Sequence, residues 1–218
     1  MNILIVAATQ FEVQPLLDFL EINYSALGMQ NPVKTFHNKK IQVLVTGVGM
    51  VNTAYMMGNY ANKAYDLMLN VGVAGAFDKN LQLGQLVEVT KDCLSELGAE
   101  NDAEFLTYDQ LNLGGTHVFS NRMNDTFEKL NDLQKVAGIT VNTIHGNDAS
   151  IEKVKQLYNP AIESMEGAAF FAACLNKNQY TQIRAISNYV EKRDKSKWNM
   201  PLAIKNLNEF LVSFIERI

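Results

Sequence analysis

The chain has no large excess of charge of one sign, only two cysteines and no long apolar run, and each of these features excludes a class of function. The 218 residues carry 19 Lys and Arg against 23 Asp and Glu, a net charge of -4 at pH 7, which leaves no basic stripe for a nucleic acid backbone. No apolar run is long enough to cross a bilayer. No basic residue precedes Lys34, so the start of the chain lacks the charged head of a secretory signal. We expect a cytoplasmic protein that binds neither nucleic acid nor membrane.

The few cysteines and histidines are not arranged for metal binding or for a disulfide. Cys93 and Cys174 are far apart, and each lies in a largely apolar segment, which is typical of buried free thiols in a reducing compartment. His37, His117 and His145 show no ligand spacing and are expected to be ordinary hydrogen-bonded side chains. We therefore expect no metal.

The known short motifs of cofactor and phosphate binding are also absent. Gly47-Val48-Gly49 lacks the third glycine of the dinucleotide-binding motif, and no acidic residue ends a strand about twenty residues later. The sequence contains no phosphate-binding P-loop, no paired-histidine zinc helix and no nucleophile elbow around a serine. The sequence predicts no cofactor and disfavours kinase, metalloprotease and serine hydrolase chemistry.

The residues that are present predict an α/β fold. With 47% hydrophobic residues, the chain can bury a full core, and we expect a single domain over residues 1–218. Apolar runs predict strands at 3–8, 41–46, 66–73, 85–90, 140–145, 161–165 and 181–187. Helical spacing predicts helices at 9–20, 51–65, 166–176 and 201–218, whereas 95–116 is expected to be an irregular surface excursion. This alternation predicts three αβα layers with a central mixed, mostly parallel sheet.

Three polar residues stand where a predicted strand gives way to another element, the usual place for chemistry in such a fold. They are Glu12, Glu166 and Asn188. The small residues at 72–76 would let a ligand approach closely, so that segment is a candidate pocket floor. Two carboxylates and an amide, without a metal cluster or a nucleophilic cysteine setting, indicate cleavage of a glycosidic bond.

Five short segments resemble the signatures of the nucleoside phosphorylase and nucleosidase superfamily, in the same order and at similar spacing. They are AATQFE at 7–12, TGVG at 46–49, NVGVAG at 70–75, SMEGAA at 164–169 and RAISN at 184–188. Together they span nearly the whole chain. The resemblance implies a nucleoside phosphorylase-like fold, a nucleoside substrate, and a homodimer or larger homo-oligomer.

The resemblance also implies roles for particular residues. Glu12 matches the acid that activates water in the nucleosidase branch, which includes methylthioadenosine/S-adenosylhomocysteine nucleosidase. Met165 and Glu166 match the ribose clamp, with Met165 against the sugar face and Glu166 accepting from the ribose hydroxyls. Val48 and Gly75 lie in segments expected to line the pocket.

The segment around Ser150 and Ile151 matches one whose backbone meets the base in relatives. Those relatives have an aromatic residue stacked on the base at the position where this chain has Ser150, and Ser150 and Ile151 are candidates for contact with the substrate.

Asn188 departs from the pattern of the adenine-specific nucleosidases, which have an aspartate there that protonates purine N7. An amide is not a strong acid, but its NH2 can donate to N7 or O6 of a 6-oxopurine. Adenine carries a donor at position 6, so we expect hypoxanthine to fit better than adenine. Asp194, in the loop that follows, is the reserve general acid.

The end of the chain, from 186 to 194 and at Trp198, is similar to the futalosine hydrolase branch. That resemblance implies release of hypoxanthine from futalosine, a nucleoside of menaquinone biosynthesis that bears a carboxyphenyl group. Trp198 is a candidate to stack on the phenyl ring and Arg193 to bind the carboxylate.

Two alternatives stay open: a nucleosidase for methylthioadenosine, S-adenosylhomocysteine or inosine-like substrates, and an inactive nucleoside-binding protein of the same fold. Bacterial phosphorylases of the superfamily bind phosphate with an arginine just before the glycine that matches Gly72. This chain has Asn70-Val71 there, and its first 33 residues contain no Lys or Arg. We therefore expect water rather than phosphate as the nucleophile.

Overall fold

The computed structural model describes residues 1–22, 33–60, 63–124, 127, 130 and 132–218. The strands are β1 Asn2–Ala7, β2 Val33–Phe36, β3 Lys39–Val45, β4 Leu67–Ala76, β5 Leu86–Leu94, β6 Gly98–Asn101, β7 Glu104–Thr107, β8 Val118–Ser120, β9 Gln134–Thr140, β10 Ile162–Ser164 and β11 Tyr180–Tyr189. The helices are α1 Gln10–Phe19, α2 Met50–Gly58, α3 Tyr108–Leu111, α4 Asp148–Tyr158, α5 Gly167–Cys174 and α6 Met200–Arg217, with a 3-10 turn at Lys195–Lys197.

Within the described residues the main sheet has nine strands in the order β10-β9-β5-β11-β4-β1-β3-β2, with β8 paired to β5. Parallel pairing joins β1, β3, β4 and β11, and antiparallel pairs occur toward both ends. β10 pairs with both β9 and β4, so the sheet curls back on itself at that end. The expected α/β fold with a central mixed sheet is confirmed.

The alternation of side chains along β1 shows why the sheet is covered on both faces. Ile3 and Ile5 pack with helices α1 and α6, whereas Leu4 and Val6 pack with α2 and α5. All four are fully buried. A strand buried on both faces reads as a continuous apolar run, which is why β1 could be predicted from the sequence.

Several sequence predictions are wrong in detail. The strand expected at 140–145 is β9, which ends at Thr140, and 141–147 is a loop. The excursion at 95–116 is not irregular, because it contains the β6–β7 hairpin and α3. Helix α2 ends at Gly58 instead of 65, and α5 at Cys174 instead of 176. Strands β2 and β8 and helix α4 were not predicted, because β2 and β8 are short and only Val154 of α4 is buried.

The two cysteines are free and buried, as expected. Burial raises the pKa of the Cys93 thiol to about 12, so it is not a reactive thiolate. Among the described residues, no helix is long and apolar enough to cross a membrane. In the same part of the chain, no three His, Cys, Asp or Glu side chains gather in a way that could hold a metal ion.

Candidate active site

A cavity of about 340 Å³ opens where β1, β4 and β11 end. Parallel strands place their carboxyl ends at one edge of the sheet, so residues distant in sequence meet there. Its walls are Ala8, Thr9, Phe11, Glu12, Val48, Val73, Ala74, Gly75, Ile144, Glu163, Ser164, Met165, Glu166, Ser187, Asn188, Trp198 and Met200. The three residues singled out at strand ends thus share one cavity.

Glu12 is buried and held from two sides. Its Oε2 accepts hydrogen bonds from the backbone N and the Oγ1 of Thr9, at 2.9 and 2.8 Å, and Thr9 in turn caps α1. Its Oε1 accepts from the backbone N of Val73 at 3.2 Å. The carboxylate therefore takes part in capping α1, and its Oε1 keeps a lone pair that can accept from a further donor such as water.

Glu166 reaches away from its own helix. It is the N-cap residue of α5, but its side chain makes no capping hydrogen bond there. Instead, its Oε1 accepts from the backbone N of Gly49 at 2.9 Å, at the start of α2, and its Oε2 from the backbone N of Met165 at 3.3 Å. Burial raises the pKa of this carboxyl, and the nearby Arg184 counteracts the shift.

Asn188 owes its orientation to a bulge at Ser187. In the pairing of β11 with β4, Ile186 lies opposite Ala74 and Asn188 opposite Gly75, so Ser187 is the extra residue. The Ser187 hydroxyl donates to Asn188 Oδ1 at 2.8 Å, while Nδ2 donates to the carbonyl of Tyr189 at 3.0 Å. The second hydrogen of Nδ2 is left for a ligand.

Arg184 is a functional candidate that the sequence reasoning missed. It is 1% exposed, and its Nη2 donates to Asn70 Oδ1. Its Nε has no hydrogen-bond partner among the described residues. A Cβ on Gly72 would lie 2.8 Å from Glu12 Oε1 and 3.3 Å from Arg184 Nη1, which places the guanidinium beside the carboxylate. The available signal was that Arg184 is the only charged residue in β11.

Met165, Val48 and Gly75 line the cavity as expected, and Trp198 stands at the border of a second pocket of about 210 Å³. Ile144, Asn188 and Trp198 line both pockets, so the two adjoin.

Arg193 and Asp194 line only the second pocket. The Arg193 guanidinium lies 5.0 Å from the centre of the Trp198 ring. Asp194 is exposed and accepts from the backbone N and the hydroxyl of Ser196, which lowers its pKa. A carboxyl with a lowered pKa is a poor proton donor near neutral pH, so the structure argues against Asp194 as the reserve general acid.

Ser150 and Ile151 lie outside both cavities. Asn147 caps α4 by accepting from the backbone N of Ser150, and the Ser150 hydroxyl donates to the Asn147 carbonyl. Ile151 packs with Val141 and Val154 instead. Ile144, in the loop before α4, lines the cavity.

The family model described as the phosphorylase superfamily matches residues 2–216. The chain belongs to the phosphorylase superfamily. This membership confirms the resemblance drawn from the five segments. Each of the five segments contributes at least one residue to the walls of the cavity.

Individual members of the phosphorylase superfamily are similar to the chain at low identity. A futalosine hydrolase from Thermus thermophilus is 32% identical over 171 residues, covering 75% of this chain and 76% of the relative. An aminodeoxyfutalosine nucleosidase from Campylobacter jejuni is 28% identical over 190 residues, covering 80% and 79%. The 5'-methylthioadenosine/S-adenosylhomocysteine nucleosidase from Helicobacter pylori, solved with butyl-thio-DADMe-Immucillin-A, has a TM-score of 0.84 at 16% identity, covering 100% and 99%. The last likeness shows the fold alone.

Proposed function

We propose that the chain is a futalosine hydrolase, which cleaves the N-glycosidic bond of futalosine with water to release hypoxanthine and dehypoxanthine futalosine in menaquinone biosynthesis. The observation that carries the proposal is a single cavity that contains Glu12, Glu166 and an oriented Asn188. The similarity to the Thermus thermophilus futalosine hydrolase supports it.

Glu12 is the general base. Its Oε1 faces the Val73 end of the cavity with one lone pair free, so it can accept a proton from a water molecule that attacks the anomeric carbon. The bonds from Thr9 to Oε2 fix the carboxylate and leave it few alternative positions. A fixed base contributes to catalysis because the reacting groups need no reorientation.

Glu166 and Met165 hold the ribose. Two backbone N–H groups orient the Glu166 carboxylate, whose remaining lone pairs can accept from the ribose hydroxyls. Met165 lies beside it in the cavity wall and supplies apolar contact for the sugar face. Hydrogen bonds to the hydroxyls then favour the oxocarbenium-like transition state.

Asn188 stabilises the departing purine. As the glycosidic bond breaks, negative charge builds on the base, and the Nδ2–H group can donate to N7 or O6. The Ser187 hydrogen bond orients the amide, and one hydrogen of Nδ2 remains free to donate to the base at a position where adenine also carries a donor. The arrangement favours a 6-oxopurine over a 6-aminopurine.

Water fits as the nucleophile better than phosphate. The described residues that line the cavity include the carboxylates of Glu12, Glu163 and Glu166 but no lysine or arginine. An anionic nucleophile would be repelled by these carboxylates and would find no cation in the walls. Arg184, the nearest buried cation, is directed to Asn70 and does not line the cavity.

The adjoining pocket suits the carboxyphenyl group of futalosine. Trp198 borders both spaces and presents an aromatic ring for stacking. Arg193 makes no hydrogen bond or ion pair within the described chain and lies over this ring, so its guanidinium can bind a carboxylate.

A second copy of the chain can cover the cavity mouth. Phe11 and Val48 line the cavity and are 66% and 49% exposed, and Val51 and Tyr55 on α2 are 75% and 66% exposed. Such an apolar rim is typical of an interaction surface. We propose a homodimer or larger homo-oligomer, and sedimentation measurements test it.

The deciding experiment measures free base release from futalosine, inosine and methylthioadenosine, with and without added phosphate. Hypoxanthine from futalosine, at a rate independent of phosphate, is the expected result. Adenine from methylthioadenosine would instead assign the chain to the adenine-specific nucleosidases, and release that requires phosphate would make it a phosphorylase. Absence of any release, together with nucleoside binding, would indicate an inactive binding protein.

A further inference from the structure

Glu163 is a buried acid that the mechanism above does not use. Its side chain is 1% exposed, and it lines the candidate nucleoside cavity. In the sheet, Gly75 of β4 is paired with both Glu163 of β10 and Asn188 of β11. Glu163 Cγ and Asn188 Nδ2 both lie within 3.6 Å of the point that a Cβ on Gly75 would occupy. Glu163 therefore lies at the same end of the cavity as Asn188, where the purine base is proposed to bind.

Both oxygens of Glu163 are bonded to one residue, His145. The backbone N of His145 donates to Oε1 at 3.1 Å, and its Nδ1 lies 2.6 Å from Oε2. His145 lies in the loop 141–147 between β9 and α4. Glu96 anchors the beginning of this loop, accepting from Asn142 and from the backbone N of Thr143.

Ile144 lies between these two anchors and lines both pockets. It is 40% exposed. The two carboxylates hold the backbone on either side of it by hydrogen bonds, whereas its own side chain belongs to none of the core clusters of the described residues. Its position in the wall therefore depends on the anchors.

We propose that the Glu163–His145 pair is a positioning device for the purine, which holds Ile144 in the wall of the base site only while Glu163 is ionised. The inference rests on the proposed function to the extent that the cavity accepts a purine base. Protonated Glu163 would lose part of its capacity to accept from two N–H groups at once, and Ile144 would then move away from the base.

The electrostatic setting favours protonation of Glu163 at a higher pH than for an exposed glutamate. Burial raises the pKa of Glu163, the hydrogen bonds from His145 counteract that shift, and the charge of Glu96 adds to it. Glu12 and Glu166 line the same cavity as Glu163.

His145 in turn faces the charged groups of the second pocket, which are Glu191, Lys192, Arg193, Asp194 and Lys197. Because the pKa of Glu163 lies above the ordinary value of a glutamate, binding of the base should weaken as the pH falls toward that raised pKa.

The test measures the dissociation constant of free hypoxanthine by calorimetry between about pH 5 and pH 8, where carboxyl groups with raised pKa values titrate. The free base leaves the ribose clamp empty and requires no cleavage, so a failure of the futalosine assay would not affect the result. For the unaltered protein, we expect weaker binding at the acidic end. If hypoxanthine does not bind, or binds equally at every pH, the proposal is wrong.

Three variants distinguish positioning from a merely structural role. Glu163→Gln mimics the protonated acid, because its amide has one oxygen to accept from the two N–H groups of His145, so binding should be weakened to the acidic level at every pH and the pH dependence should disappear. His145→Ala removes a bond that lowers the pKa of Glu163, so the weakening should begin at higher pH. Glu163→Ala should weaken binding at every pH by about tenfold or more.

The matched control is Glu209→Gln, which removes an exposed carboxylate of α6 that lines neither pocket. It should keep the pH dependence of the unaltered protein. If Glu163→Gln also keeps that dependence, or if His145→Ala does not shift it, the Glu163–His145 pair has no positioning role. The Gln variant keeps the test decisive even if Glu163→Ala does not fold.

Discussion

Gly72 leaves room for the carboxylate of Glu12, because a Cβ at this position would lie 2.8 Å from Glu12 Oε1. That distance is too short for a real contact, so any larger residue would displace the proposed general base. The strand β4 therefore passes directly behind the acid at the end of β1, and the small residues of this segment are required by the site as well as by the sheet.

Gly72→Ala should displace Glu12 and lower kcat by about tenfold or more, since small misplacements of reacting groups are costly. The KM for the nucleoside should change much less, because the ribose and base contacts lie elsewhere. Steady-state kinetics on the nucleoside that proves to be the substrate measures both. Gly58→Ala is the control, as a Cβ there meets nothing within 4 Å. An unchanged kcat for Gly72→Ala would show that Glu12 needs no such space.

Glu12→Gln should lower kcat by about a hundredfold or more while the nucleoside still binds, because general base catalysis is lost. Thermal unfolding should confirm that the fold is kept. Glu209→Gln, at an exposed position of α6, should retain full activity. Near-normal turnover in the Glu12 variant would assign the water activation to another residue.

Asn188→Asp should shift the preference toward 6-aminopurines, because a carboxylic acid can protonate N7 and no longer offers an NH2 group to O6. The readout is the ratio of kcat/KM for a 6-aminopurine nucleoside to that for its 6-oxopurine counterpart. An unchanged ratio would show that Asn188 does not select the base. Asn206→Asp, in which the parent side chain donates to Gly84 away from the cavity, tests whether any Asn to Asp exchange has this effect.

Arg184→Met should raise the pKa of Glu166 further, because the positive charge that counteracts its burial is removed. A carboxyl that stays protonated to higher pH loses part of its capacity to accept from the ribose hydroxyls, so KM should rise most at the acidic end of the profile. Arg184→Lys keeps the charge and should restore part of the profile. A parallel loss at every pH in both variants would indicate only a packing role.

Asp92→Asn tests a buried carboxyl that lies outside the cavity. Burial is the largest of the influences that raise the pKa of Asp92 to about 6, against hydrogen bonds from Gln182 and Thr140. A group with a raised pKa in the folded state contributes stability at low pH that is lost as the pH rises through that pKa, by about 3 kcal/mol at most.

As the pH rises from about 4 to about 7, the unaltered protein should lose unfolding free energy relative to Asp92→Asn, because the variant has no carboxyl to ionise at this position. Chemical denaturation at the two pH values measures it. Asp102→Asn, at an exposed turn, should show no such trend. The same trend in both variants, or its absence in Asp92→Asn, would contradict the assignment.

The sequence alone determined the elements whose patterns are local. Burial on both faces of a strand and capping of a helix depend on neighbouring residues. The sequence therefore predicted the apolar run of β1, the start of a helix at Thr9 to Glu12, and the alternation of strands and helices. The five segments also identified the superfamily. Residues 141–145 were mistaken for strand, because their apolar members resemble a buried run and only the pairing partners show where β9 ends.

Tertiary structure alone decided which side chains meet. Nothing local to Arg184 places its guanidinium beside Glu12, and nothing local to Glu163 predicts its contact with His145, since these contacts follow from strand order and register. The bulge that orients Asn188 likewise exists only as a relation between β11 and β4. A sequence specifies periodicity and turns directly, whereas the distance between two buried charges depends on how the whole sheet closes.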